Sequence, residues 1–321
     1  MAELTLTAFD AAAEAYDAVV DRAPVADRFC TTSDWLVPAY HAFADGADTV
    51  IHRFDEGWVP LMAMRTVLGR TWMPLEASWG LASALVGEDE AALASRFAEA
   101  AQQQRDRWDT LFLSGLRRGG PAFTMLVRRF GRSWRLGLGQ ASVRCVASLE
   151  GGLEGFLGRR TAKHRKNLRA AERRGDGLRF EIHAPRTAAE GLALLDTILD
   201  VERRSWKGRE GHGIDRGAMR TFYSAMVPRL AARGALRVTL AHGDDGPVGY
   251  VLGGLRGASY RGLQISFDER HQAVSLGNLL QLHTVTGLCA EGVEVYDLGM
   301  HMPYKERWAE QQVETVALVV R

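Results

Sequence analysis

The sequence predicts an α/β (α+β) protein of two domains, each a mixed, mostly antiparallel sheet flanked by helices. Three observations predict it. The chain has 321 residues, 46% of them hydrophobic and 25% charged, enough for two cores at roughly 150 residues per domain. Strand-like alternation and helix-like spacing of apolar residues take turns along the whole length. One string of elements also occurs twice, without obvious residue identity.

The second half is the clearer copy. Residues 178–183 form a short strand. Residues 187–206 carry Leu192, Leu195 and Leu199 at helical spacing, and Gly208, Gly211 and Gly213 break the pattern. Residues 218–233 are helical up to Gly234. Strands at 236–241, 248–255 and 259–267 are joined by turns at 243–247 and 256–258. A helix at 276–291, a strand at 293–298, a short helix at 304–310 and a last strand at 313–319 complete the order β-α-α-β-β-β-α-β-α-β. The first half repeats it more faintly. A strand at 4–7 precedes helices at 11–20 and 33–43, then strands at 49–54, 58–67 and 71–74. A helix at 91–107, a strand at 110–113, a helix at 122–130 and a strand at 134–138 follow. Gly137, Gly139, Gly151 and Gly152 mark the join, which divides the chain into domains 1–145 and 146–321.

Composition excludes several classes. No apolar stretch approaches the ~18 residues of a membrane span, and residues 1–21 lack the basic start of a secretory signal. Cys30, Cys145 and Cys289 are scattered and odd in number, against a disulfide framework. A cytoplasmic protein without membrane contact is expected. The nine histidines show no metal-ligand spacing, so no metal is expected. Phosphate-loop, dinucleotide, zinc-protease and nucleophile-elbow signatures are missing. Charge is uneven: residues 1–150 hold 15 Arg against 19 acids, whereas residues 159–174 alone hold eight basic residues against Glu172. Such a segment suits an anionic partner, or is a solvated helix face. Only four of the 40 basic residues are lysines, Lys163, Lys166, Lys207 and Lys305.

The stretch 259–278 carries the chemistry. A strand ends at Phe267, a polar turn follows through Arg270, His271 and Gln272, and Ser275-Leu276-Gly277-Asn278 opens a helix. Amides at such a helix start form an anion site with the helix dipole, or simply a capped helix. Glu202 continues the apolar stripe of Leu195 and Leu199, so a carboxylate is expected in the core, either in a structural ion pair or as a base.

Gln272-Ala273-Val274-Ser275-Leu276-Gly277 resembles the pyrophosphate loop of the GNAT superfamily of N-acetyltransferases, with Ser275 in place of the first glycine. More narrowly, the chain resembles the CelD/BcsL-like acyltransferases, relatives of the FemABX transferases. The matching pieces are the basic segment from Lys163 to Arg169, Glu202-x-x-x-Trp206-Lys207-Gly208, the segment Ser275 to Leu280, and Asp297-Leu298-Gly299 followed by Tyr304-Lys305-x-x-Trp308. The first half matches loosely, through residues 31–36. The resemblance implies tandem GNAT-like domains, the first degenerate and the second binding acyl-CoA, with acetyl-CoA foremost. It implies that Gln264, Ile265, Ser266 and Phe267 form a splayed strand edge for the pantetheine arm, and that residues 270–278 hold the pyrophosphate. Tyr304 sits where such domains place a general acid, or is packing. Glu202 and Asp297 are the base candidates, with capping as the alternative for Asp297. His271 contacts phosphate, acts as base or is solvated. Lys305 and Lys207 bind phosphate or acceptor, or are surface charge. Lys163, Lys166, Trp206, His301 and Trp308 fall to the acceptor side. Acyl transfer to an amine is expected, on an amino sugar, amino-acid side chain or peptide. The alternatives are FemABX-like transfer from aminoacyl-tRNA and a binding module without activity.

Overall fold

Residues 2–76 and 79–321 are described by a computed structural model, and they divide into two units, 2–143 with 314–321 and 144–313. The first unit holds β1 (Ala2–Leu4), α1 (Leu6–Ala11), α2 (Ala13–Arg22), α3 (Ser33–Phe43), β2 (Asp48–Phe54), β3 (Gly57–Thr66), β4 (Gly69–Pro74), α4 (Glu90–Gln103), β5 (Thr110–Leu116), α5 (Pro121–Phe130) and β6 (Leu136–Leu138). The second holds most of β7 (Ser142–Ser148), then α6 (Gly152–Gly158), α7 (Ala162–Arg174), β8 (Arg179–His183), α8 (Ala188–Arg204), α9 (Trp206–Arg209), α10 (Gly217–Ala232), β9 (Leu236–Gly243), β10 (Gly246–Arg256), β11 (Ser259–Phe267), α11 (Leu276–Ala290) and β12 (Val295–Met300). The chain ends in β13 (Gln311–Val320).

In the first unit β1 to β4 form an antiparallel meander, β5 runs parallel to β4 over two residue pairs, and β13 lies antiparallel to β5 and β6. The second unit has the same plan. Strands β8 to β11 are antiparallel, β12 runs parallel to β11, and β7 lies antiparallel to β12. The strand that completes each sheet is therefore remote in sequence from the rest of that sheet. The strand at 313–319, read from sequence as the end of the second domain, hydrogen-bonds to β5 and β6 of the first unit.

The glycine-marked join also differs from a linker. Ser142–Ser148 forms a strand because Cys145 and Ala147 alternate into the core beside Tyr260, Tyr296 and Leu298. The short helix expected at 304–310 is a 3₁₀ turn at Pro303–Arg307, fixed at its start by proline. Helix α8 begins with a capping box, in which Thr187 Oγ1 accepts from Glu190 N and Glu190 Oε2 accepts from Thr187 N. Its inner stripe runs Leu195, Ile198, Leu199 and Glu202, so Leu195 and Leu199 of the stripe read from sequence are buried as expected, whereas Leu192 is 43% exposed. Helix α7 buries His164, Leu168 and Ala171 and leaves Lys163, Lys166, Arg169 and Arg173 in solvent.

Candidate active site

The site grows out of the place where β11 and β12 part. They pair at Ser259, Tyr260 and Arg261 only. Beyond Arg261, β11 continues to Phe267 along β10, while β12 continues to Met300 along β7. Asp297 drives the parting. Its Oδ2 is shared by the guanidinium groups of Arg144 and Arg261, and its Oδ1 accepts from Gly299 N at 2.8 Å. That cap sets a bulge against β7 between Asp297 and Gly299, with Gly299 at φ 79°, where glycine is at home.

The gap is a cleft of about 340 Å³. Gly262 to Ile265 line one side; Leu298, Met302, Tyr304 and Lys305 line the other; Trp206 and Lys207 close a third. Lys207 Nζ donates to the Ile265 carbonyl at 2.8 Å and to Gln264 Oε1 at 3.1 Å, so it occupies part of the bare β11 edge. Lys305 Nζ donates to the Met300 carbonyl at 2.8 Å. Burial, with Arg261 adding repulsion, lowers the Lys305 ammonium to about 8. Burial also lowers Lys207, against the pull of Glu202. The Tyr304 phenol is pushed up to about 12 by burial, with the Cys145 thiol adding to the shift, so it stays protonated at neutral pH.

The turn that leads into α11 departs from a fan of outward amides. Residues Glu269–Val274 coil into a 3₁₀ helix, in which His271 N donates to Asp268 O and Ser275 N to Gln272 O. Asn278 N and Leu279 N both return to Ser275 O. Only the amides of Leu276 and Gly277 remain as helix-start donors, with Ser275 Oγ beside them. The Arg270 guanidinium folds back onto Asp268 at 2.8 to 3.2 Å, whereas Arg174 from the end of α7 reaches Ser275 Oγ at 2.9 Å. Gln272 is exposed, and His271 keeps a buried Nδ1 without a partner among the described residues. Ser275 is left-handed at φ 61°, ψ 43°, which explains a glycine at this place in the family pattern. Ser275→Gly is therefore expected to raise unfolding stability by about 1 kcal/mol, read by urea denaturation; a loss of stability would show that the Arg174 contact outweighs the backbone strain.

Several residues expected in the site lie elsewhere. Glu202 is fully buried away from the cleft lining, where it accepts from Tyr250 OH at 3.0 Å and from Ile214 N at 3.2 Å. Its charge still acts on the Lys207 ammonium. Asp297 is held by two arginines and a backbone amide at the bulge of β12. Trp308 is 1% exposed, stacked on Phe156 and met edge-on by His164; it is core. Lys163 and Lys166 lie on the outer face of α7, and His301 pairs with Glu306 at 2.8 Å. Ser266 and Leu276 point into the core, and Phe267 packs its ring against Gly277. Among the lining residues that the sequence reading did not place in the site are three with polar side chains, His212, Gln281 and Tyr296, the last two hydrogen-bonded to each other at 2.5 Å. Gln281 had a signal, a polar residue inside the apolar run of α11.

The first unit treats the corresponding turn differently. After β4 the buried Glu76 carboxyl accepts from the amides of Leu81 and Ala82 and from Trp35 Nε1. The loop amides are spent on an internal carboxyl, which burial raises to about 7, and the start of α4 is capped by Asp89, whose Oδ1 accepts from the amides of Ala91 and Ala92.

Residues 159–306 match the model of the acetyltransferase (GNAT) domain. The chain carries a GNAT domain. Among solved structures the fold resembles FemX, at 12% identity over 98% of this chain and 97% of that one, with a TM-score of 0.67. L-PGS from Bacillus licheniformis follows the same path at 15% identity, 96% and 91% coverage and a TM-score of 0.59. So does a conserved protein of unknown function from Bacteroides thetaiotaomicron VPI-5482, at 10% identity, 97% coverage of each chain and a TM-score of 0.62. No curated protein sequence matches the chain significantly. At such identities the likeness is one of fold, and the chemistry has to be argued from the cleft of the GNAT domain itself. No helix among the described residues is long and apolar enough to cross a membrane.

Proposed function

We propose that the protein is an N-acyltransferase that moves an acyl group, acetyl foremost, from acyl-CoA to an amine by direct attack on the thioester. The cleft between the parted strands carries this reading. It offers a bare strand edge at Gly262 to Ile265 facing Tyr304 and Lys305. The edge suits an amide-bearing arm, and the amides of Leu276 and Gly277 beside Ser275 and Arg174 suit a pyrophosphate. The loop holds fewer free donors than a full anion cradle, so Arg174 supplies part of the charge. Only the second unit fits the donor, since in the first Asp89 caps the start of α4 and Glu76 takes amides of the loop before it. The first unit is then a degenerate copy.

In this reading Lys207 solvates the Ile265 carbonyl until a donor amide replaces it. Lys305, charged below pH 8, faces the negative charge that develops on the thioester oxygen. Tyr304 delivers its proton to the departing thiolate, and the proton that the amine nitrogen sheds as the amide forms returns to the tyrosine oxygen, so that the thioester C–S bond breaks as the C–N bond is made. The acceptor amine arrives past Trp206 and Met302, both exposed at the mouth, and no covalent enzyme intermediate is needed.

The pH profile tests these roles. Because the reactive form of Lys305 is protonated, kcat is expected to fall as pH rises through about 8, and Lys305→Arg to carry activity past that point, since arginine stays charged. Thiol release with acetyl-CoA and a panel of amines measures it. A rate that climbs through the same pH and is lost in the arginine variant would instead make Lys305 the base.

One observation favours aminoacyl-tRNA as the donor: the solvent face of α7 carries Lys163, Lys166, Arg169 and Arg173 and ends at Arg174 on the loop. Binding of tRNA would weaken steeply with salt, as several phosphates shed counterions; acyl-CoA binding would weaken far less.

A further inference from the structure

Edge strand β8 and its neighbour β9 bring together three metal-ligating side chains that the acyl-transfer chemistry does not use. Glu181 and His183 are two apart on β8 and so share a face. The register, with Arg179 opposite His242, Glu181 opposite Leu240 and His183 opposite Val238, puts His242 on that face too. Nε2 of His183 and Nε2 of His242 each lie 3.5 Å from Glu181 Oε2. Both nitrogens are buried, and neither has a hydrogen-bond partner among the described residues. One ligand atom from each residue falls within 4.8 Å of the other two.

We propose that Glu181, His183 and His242 bind a divalent transition-metal ion of the zinc class, which staples β8 to the sheet. Donors about 2.1 Å from a tetrahedral ion stand about 3.4 Å apart, close to the 3.5 Å between Glu181 Oε2 and each imidazole nitrogen. Two imidazoles and one carboxylate are a borderline donor set, suited to zinc rather than to calcium or magnesium. The buried Val238 and Leu240 on the same face give the site an apolar floor, and half-exposed Glu181 leaves the fourth position toward solvent. The staple has a structural reason. β8 pairs on one side only and carries the exposed Ile182, the kind of edge that proteins protect. The spacing His183 to His242 spans a helical hairpin, which is why the histidines looked dispersed in sequence.

Zinc titration of the full chain, freed of metal with a chelator, tests this by calorimetry, with cobalt(II) absorption as a second signal. One zinc per chain is expected, with a tetrahedral cobalt spectrum and a raised melting temperature. His242→Ala and Glu181→Gln should each weaken zinc binding about 100-fold or more; the glutamine keeps the shape of the strand face, so its loss cannot be put down to misfolding. Absence of stoichiometric zinc, or an affinity that either variant leaves within about threefold, would overturn the site and leave two histidine–glutamate contacts. Neither result bears on acyl transfer, which uses the other end of the sheet.

Discussion

Tyr304→Phe is expected to lower kcat for acyl transfer about 100- to 1,000-fold while leaving donor binding within about twofold, the usual range for removing a positioned general acid. The phenol lines the cleft between β12 and the Lys305 ammonium, and burial holds it near 12. It therefore carries a proton at every working pH. Removing the oxygen takes away a proton donor but no packing, so the melting temperature is expected to stay within a degree or two. Steady-state rates with acetyl-CoA, set beside a thermal melt, separate the two effects. A variant with wild-type kcat would reduce Tyr304 to a wall of the cleft.

Asp297→Ala is the largest expected change in stability. The carboxylate sits between Arg144 and Arg261, both about 5% exposed, and also caps Gly299. Deleting one member of a buried charge network costs roughly 3 to 5 kcal/mol, and here it also releases the bulge that parts β11 from β12. Urea denaturation is expected to show that loss for the second unit. Asp297→Asn keeps the shape and gives a subtler signal. Asp297 is one of the charges that hold the Lys305 ammonium up, so its neutralisation moves the alkaline limb of the rate profile to lower pH. A catalytic base at this position would give the reverse pattern: intact stability and a collapsed rate at all pH values.

These two residues show how far the sequence could be read. Tyr304 and Lys305 were legible because strand β12 and the turn after it are local in sequence, and the family pattern fixes their spacing. The β9–β10–β11 meander was legible for the same reason, from alternation and turn residues alone. Asp297 was visible as a residue at a strand end, but its role depends on Arg144, 153 positions away. Nothing local marks that contact. Glu202 was read as buried on helical period, and it is, but its partner is the Tyr250 hydroxyl from β10 rather than an arginine. The strand β7 was hidden because glycines flank a short run in which the buried Cys145 and Ala147 are accompanied by a buried arginine, Arg144. The membership of β13 in the first sheet was hidden because sheet pairing across some 200 residues leaves no trace in periodicity. His212 lies within the break marked by Gly208, Gly211 and Gly213, and nothing in that spacing marks it as a lining residue of the cleft.

A crystal structure with coenzyme A bound tests the donor site most directly. The pantetheine arm is expected along β11 at Gly262 to Ile265, with Lys207 moved off the Ile265 carbonyl, the sulfur near Tyr304, and the pyrophosphate on the amides of Leu276 and Gly277 beside Arg174. Coenzyme A that at saturating concentration left this cleft empty, or bound with its pyrophosphate on another surface, would contradict it.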